Sequence, residues 1–353
     1  MEKDSLRKRC SPKSAAIITT YKCTANCADC CFDCSPRENE RLSLEEIKSF
    51  IDEISEFDSI KTIIWTGGEC STLGKELVEA VTYAFSKGKF SRIVSNASWS
   101  KGLEKDIKFL TELKNNGLIE LNISTGDNHL QFVPIEKVLT VSRAAVLSGL
   151  RVLISLEKTK IAKFILTNLK EHALYKQIKQ DDKFGLFSVL EATWISFNST
   201  HVYEYDEQAF LEKRKGCDSL YGTIALNPHK EVLSCCGLTI RYMPEMTLGK
   251  LGVKSLRDLY EQQMFDFMKQ WIYAEGPMAI LDQVKKWNEE IKLPKFVHPC
   301  QACAFIYQTP EIVATIQENY LTVLGDVSEK FVQKLSFNDI FEQKLEEGTL
   351  SIV

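Results

Sequence analysis

Nowhere in the 353 residues do 18 consecutive apolar residues occur, so no membrane-spanning helix is expected. The opening MEKDSLRKRCSPK is polar and charged and lacks the apolar run of a secretory signal. There is no basic excess, since the net charge is −4, and neither nucleic acid nor an anionic membrane is expected as a partner. Internal repeats and low-complexity tracts are also missing. Together these absences make a cytoplasmic chain the expectation. Disorder is excluded as well, because 44% of residues are hydrophobic, enough for a substantial core, and only 26% are charged. The length suits roughly two domains.

Cysteine is absent from the middle of the chain. Seven cysteines lie at or before Cys70, none follows until Cys217, and five more end at Cys303. A reducing compartment disfavours disulfides, so clustered thiols there point to metal binding or chemistry. Five of them, Cys23, Cys27, Cys30, Cys31 and Cys34, fall within YKCTANCADCCFDCSP.

Between residues 15 and 200 short apolar runs alternate with amphipathic stretches. AAIITTY (15–21) reads as a strand leading to Cys23. SLEEIKSFIDEISEF (43–57) reads as a helix with a capping box, Ser43 with Glu46. A strand at 62–69, a helix near 75–87, a strand at 91–97, a helix at 103–115 and a strand at 118–124 follow. The segment 134–149 reads as a helix with Pro134 in its first turn and Gly149 at its end, then strands at 151–157 and 189–197. This alternation predicts parallel strands with right-handed crossovers, either an open doubly wound sheet or an incomplete barrel. Cys23, Gly67, Gly68, Glu69, Asn96 and Ser124 each lie just past an apolar run, where such sheets gather their active residues. Beyond 216 the pattern changes: TIALNPHKEVLSCC reads as a hairpin with Asn-Pro-His-Lys as its turn, and 255–292 and 310–345 read as mostly helical.

Cys23-x3-Cys27-x2-Cys30 offers three thiolates on one loop. With Cys31 or Cys34 as a fourth ligand the set would suit zinc. With three ligands, an iron–sulfur cubane keeps one iron open. The CxxxCxxC spacing after a first strand resembles radical S-adenosylmethionine (SAM) enzymes. That resemblance implies a [4Fe–4S] cluster on Cys23, Cys27 and Cys30, with SAM on the open iron. It also implies that Gly67, Gly68 and Glu69 contact the methionine amine, that Asn96 and Ser124 contact SAM polar groups, and that Asp127 reaches the ribose. The residue before the third cysteine is usually aromatic in that family and is Asp29 here, which transfers adenine packing to another group, with Phe32 the candidate.

Cys217-x17-Cys235 and Cys300-x2-Cys303 supply four further thiols. They suit zinc on their own, and they resemble the twitch-type auxiliary-cluster domain of certain radical SAM enzymes, which implies a second [4Fe–4S] cluster. The glycine usual five residues before the second cysteine is replaced by Lys230, which predicts an altered turn. Adjacent strand residues face opposite ways, so Cys236 is expected to point away from Cys235, either as a buried structural thiol or as a hydrogen-atom donor that keeps its proton.

CADCCFDCSP, ISTGDNHLQFVP, the Cys235–Cys236 pair and the late CxxC resemble epipeptide-type radical SAM peptide epimerases (YydG-like). Gly126 stands where that family leads us to expect an acid, while His129 keeps its place, either touching substrate or organising the loop. The resemblance implies a partial (β/α)6 TIM-like barrel over 15–205, a small auxiliary Fe–S cluster domain over 206–305 and a C-terminal helical extension over 306–353. It implies conversion of L- to D-residues in a ribosomally made precursor peptide: the 5′-deoxyadenosyl radical takes a Cα hydrogen and Cys236 returns one. An electron donor such as ferredoxin or flavodoxin completes the partners. A cross-linking or cyclising maturase, a small-carbohydrate dehydrogenase and a zinc-binding interaction protein are the alternatives. Cys10, Cys31, Cys34 and Cys70 carry no assigned role.

Overall fold

Strand β1 (Ser14–Ile18) is an apolar run with both faces covered: Ala15, Ile17 and Ile18 are fully buried and Ala16 nearly so. It begins a computed structural model that describes residues 11–194, 215–238 and 240–346. Five further units follow: α1 (Leu44–Ser55), β2 (Thr62–Thr66), α2 (Lys75–Ser86), β3 (Phe90–Ser95), α3 (Leu103–Asn115), β4 (Leu118–Thr125), α4 (Ile135–Leu147), β5 (Arg151–Glu157), α5 (Ala173–Asp181) and β6 (Phe187–Ala192). The capping box forms as the sequence predicts: Ser43 Oγ accepts from the Glu46 N–H at 3.2 Å and Glu46 Oε2 accepts from the Ser43 N–H at 2.8 Å. Behind it Ile47, Phe50, Ile51 and Ile54 form the buried stripe of α1.

The first six strands are parallel to their neighbours and lie side by side in chain order, β6-β5-β4-β3-β2-β1. A doubly wound sheet reverses its strand order at a switch point. This one does not, so right-handed crossovers keep every helix on one face, the winding of an incomplete barrel. The opposite face stays partly open. On β4, Leu121 and Ile123 are buried toward the helices, whereas Glu120, Asn122 and Ser124 are only half-buried on the concave side.

Several boundaries differ from the sequence reading. β1 stops at Ile18 instead of reaching Tyr21, because Thr19 and its successors turn away to bond the end of β2 and the segment near Arg41. Pro134 is the N-cap of α4, not its first helical residue, as its extended ψ of 145° requires. β6 begins at Phe187, where the Asp182 carboxylate accepts from the Leu186 and Phe187 N–H groups. Its expected end, 195–197, lies outside the described residues. Helix α5 has no counterpart in the sequence reading.

The hairpin forms from β7 (Thr223–Leu226) and β8 (Glu231–Leu233), and β9 (Thr247–Lys250) joins it. It does not build a sheet of its own. β7 pairs in parallel with β1, so the order continues as β1-β7-β8-β9 in one nine-stranded sheet. The turn keeps its shape without glycine: Lys230 takes φ +62°, its N–H donates to the Asn227 carbonyl at 2.9 Å, and its Nζ meets Glu46 at 2.9 Å. The chain closes with α6 (Leu256–Gln262), α7 (Phe267–Ala274), α8 (Pro277–Trp287), α9 (Pro299–Gln308), α10 (Pro310–Asn319) and α11 (Leu324–Glu346). Among the described residues no helix is long and apolar enough to cross a membrane.

Candidate active site

Past β1 the chain is fastened to the end of β2. The Thr19 N–H donates to the Thr66 carbonyl at 2.9 Å, and the Glu69 N–H donates to the Lys22 carbonyl at 2.9 Å. Gly67 sits at φ +131°, and a Cβ there would lie 2.5 Å from the Thr20 carbonyl oxygen. The glycine pair is therefore required by the approach of the chain's own backbone. That fixes where the cysteine loop starts. The legs of the loop pair through the Cys23 N–H to Ser35 and the Ser35 N–H to Tyr21, and its tip turns through Cys27, Cys30 and Asp33.

Cys23, Cys27 and Cys30 face one cavity of about 490 Å³, within the size range of small-molecule sites. Gly67, Gly68, Asn96 and Ser124 line the same cavity, as do Asp29 and Phe32. Burial pushes the Cys23 thiol up to about 11 and Cys27 up to about 12. A hydrogen bond from the Cys34 thiol pulls Cys30 down to about 6 and pushes Cys34 up. Buried thiols of this kind become thiolates when a cation compensates the charge. N–H groups already point at the sulfurs, Ala25 to Cys23 Sγ and Cys34 to Cys30 Sγ, each at 3.4 Å. Among the described residues no three His, Cys, Asp or Glu side chains converge on a single ion. The donor set, three thiols on one cavity wall with N–H support, fits a cluster larger than one ion.

Glu69 is fully buried and lies behind this wall, not on it. Its Oε1 accepts from the Ser71 N–H at 3.2 Å, its Oε2 from the Asn96 N–H at 2.8 Å, and both from Ser95 Oγ at 3.0 and 3.1 Å. Burial raises its pKa and these donors oppose the rise. Asn96 in turn spends its amide within the protein: Oδ1 accepts from the Ser98 N–H at 2.9 Å, while Nδ2 reaches Thr24 Oγ1 at 3.0 Å and Cys23 Sγ at 3.6 Å. Asp127 lies off the cavity. Its carboxylate accepts from the Lys163 N–H at 2.7 Å and the Phe164 N–H at 2.9 Å, and it lines a separate cleft with Asn128 and Lys163. Gly126 is glycine because Glu157, from the end of β5, fills its side-chain space: a Cβ would fall 2.5 Å from that of Glu157. Glu157 is buried and accepts from Asn128 Nδ2 at 2.8 Å.

His129 lines the cavity, with Nδ1 3.8 Å from Cys27 Sγ and its ring set edge-on against Trp194 at 4.7 Å. Burial pulls its pKa down to about 4, which leaves the ring neutral. Sequence reasoning missed several wall residues. Trp194, just past the end of β6, stands far from any cysteine motif in sequence, His298 is the N-cap of α9 two residues before Cys300, and Asn122 lies inside a strand. Among the described residues the buried Oδ1 of Asn122 has no hydrogen-bond partner. The polar alternation Glu120, Asn122, Ser124 was the available signal, since a packed barrel interior is apolar.

Thiols of the second group lie near enough to feel one another's charge. Cys300 and Cys303 sit on the first turns of α9, and the Cys300 thiol is pushed up by burial and then by charge on Cys236, Cys217, Cys303 and Cys31. The expectation that Cys235 and Cys236 face opposite ways fails, because β8 ends at Leu233 and strand geometry no longer governs them. The interaction between the two neighbouring thiols pushes Cys235 well up and draws Cys236 down to about 7. Two residues on, Leu238 lines the main cavity, and charge on Cys236 is felt at Cys31 on its wall. Cys70 is buried behind the site, with its thiol 3.7 Å from the Val94 carbonyl.

Residues 17–165 match the model of the Radical SAM superfamily. The chain is 26% identical over 306 residues to YydG of Bacillus subtilis (strain 168), a peptide biosynthesis protein whose own designation is provisional. The match spans 85% of this chain and 93% of that one. Among solved structures, anSMEcpe with bound AdoMet and Cp18Cys peptide is 14% identical, with a TM-score of 0.49 over 90% of this chain and 99% of that one. SuiB of Streptococcus suis bound to the precursor peptide SuiA is 15% identical, with a TM-score of 0.44 over 73% and 67%.

Proposed function

We propose that the protein is a peptide epimerase that turns L-residues into D-residues in a ribosomally made peptide, since residues 17–165 match the Radical SAM superfamily model, which implies SAM and a [4Fe–4S] cluster. The peptide substrate is inferred from the likeness to YydG, a protein named for peptide biosynthesis. Cys23, Cys27 and Cys30 would hold the cluster, and Gly67, Gly68 and Ser124 would frame SAM on the same wall, with Glu69 bracing that wall from behind. When bound, cluster and SAM supply a 5′-deoxyadenosyl radical that can take a Cα hydrogen atom. Cys217, Cys235, Cys300 and Cys303 would hold an auxiliary [4Fe–4S] cluster.

The role of the protein is to place one hydrogen donor against the face opposite the abstraction. We assign that donor to Cys236. The observation that carries this reading is that the segment after β8 ends on the main cavity through Leu238, with Cys236 close enough to affect Cys31 on the wall. The balance is simple. Cα loses one hydrogen atom and regains one from the Cys236 S–H, and Cys236 recovers through one electron and one proton. The electron comes from an external one-electron donor such as ferredoxin or flavodoxin. When Cys235 is a ligand it has no S–H to share, so the interaction that lowers Cys236 is removed and burial favours the protonated thiol.

The test is Cys236→Ala with a precursor peptide deuterated at Cα. SAM cleavage and deuterium loss should persist while D-residue formation stops. D-residues made by the variant would rule out Cys236 as the donor.

A further inference from the structure

Cys23, Cys27 and Cys30 each have a hydrogen-bonding group at the sulfur, and these groups are of two kinds. Ala25 and Cys34 serve Cys23 and Cys30 through backbone N–H groups of the loop itself. Asn96 Nδ2, 3.6 Å from Cys23 Sγ, and His129 Nδ1, 3.8 Å from Cys27 Sγ, come from outside the loop, just past the ends of β3 and β4. Both side chains are held in place. Asn96 is fixed by its N–H to Glu69 and by its Oδ1 to the Ser98 N–H. His129 is fixed by its edge-on contact with Trp194, at an interplanar angle of 87°.

A donor aimed at a ligating sulfur stabilises the more negative state of a cluster, so it favours reduction. We propose that Asn96 and His129 are positioning residues that hold Cys23 and Cys27 and raise the reduction potential of the cluster those cysteines carry. This rests on the reading of Cys23, Cys27 and Cys30 as ligands. It gives Asn96 a partner other than SAM and calls for His129 in its Nδ1–H tautomer. It also explains why a buried histidine stands against a cysteine on this wall.

The experiment is an anaerobic potentiometric titration followed by electron paramagnetic resonance, on the reconstituted full chain without peptide, reading the signal that SAM perturbs. Asn96→Leu removes one donor. His129→Phe keeps a ring against Trp194 but has no N–H, and His129→Gln restores an N–H. The leucine and phenylalanine variants should each shift the reduction equilibrium about tenfold toward the oxidised form, ~59 mV more negative for one electron, and the glutamine variant should lie near the parent. Equal potentials in all four proteins overturn the proposal. So does a lowered melting curve in the iron-free form of both donor-less variants, which assigns them a purely architectural role. A donor-less variant that melts like the parent yet loses iron that the parent and His129→Gln retain supports it. A parent that binds no iron refutes the ligand reading itself, so the two failures are distinguishable.

Discussion

The backbone N–H of Gly68 donates to the Thr20 carbonyl at 2.7 Å, and a Cβ built on Gly68 would lie 2.1 Å from the Lys22 carbonyl oxygen. Two chain segments 46 or more residues apart in sequence thus touch backbone to backbone, at the point where the cysteine loop departs.

Gly68→Ala should therefore push Lys22 and shift the loop. Overpacking typically costs about 1–3 kcal/mol, and backbone is less yielding than a side chain. We expect a lower unfolding midpoint in denaturant and poorer iron retention after reconstitution. A variant that matches the parent in both would show that the loop has slack.

Single alanine substitutions of Cys23, Cys27 and Cys30 should each abolish SAM cleavage and lower iron per chain. Cys34→Ala should keep SAM cleavage, because Cys34, although it lines the cavity, is buried with its thiol 3.8 Å from the Phe32 carbonyl. Iron and sulfide analysis after anaerobic purification provides the comparison. Colourless parent protein with stoichiometric zinc would remove the radical reading altogether.

Lys230→Gly should be neutral or stabilising, by up to about 1 kcal/mol. Left-handed backbone costs a non-glycine residue roughly 1–2 kcal/mol, while the ion pair with Glu46 involves a half-exposed lysine and contributes little. Thermal unfolding measures the balance. A clear loss of stability would show that the tie to the capping box of α1 outweighs backbone strain.

Peptide processed by the parent enzyme in heavy water should carry one solvent deuterium at each inverted Cα, because the returned hydrogen comes from an exchangeable thiol. In ordinary water its mass should equal that of the substrate. A product lighter by two hydrogens identifies a cross-linking or dehydrogenating enzyme.

Much of the scaffold could be read directly from the sequence. The capping box at Ser43 and Glu46, the alternation of short apolar runs with helices, and the hairpin with its Asn227 turn all depend on residues close in sequence, and all formed. The CxxxCxxC spacing marked three thiols that do share a cavity. What could not be read depends on which side chain meets which partner across long separations. The Glu69 carboxylate turns to Ser95 and Asn96, and that of Asp127 turns to backbone 36 residues onward. Gly126 answers to Glu157 on the next strand. Cys235 and Cys236 read as strand residues in the sequence although the strand stops at Leu233, and no local pattern marks that stop.

The pairing of β7 with β1 makes the sheet a single mechanical body. A chain cut after the sixth strand would not leave a self-sufficient catalytic half. It would strip β1 of one neighbour and turn Ala15, Ala16, Ile17 and Ile18, now buried, into an unprotected sheet margin, the kind of surface that recruits foreign strands. The strand that launches the first cysteine loop depends for its solubility on the segment that leads to the second set of thiols. The two halves therefore stand or fall together, whatever passes between their two sets of thiols.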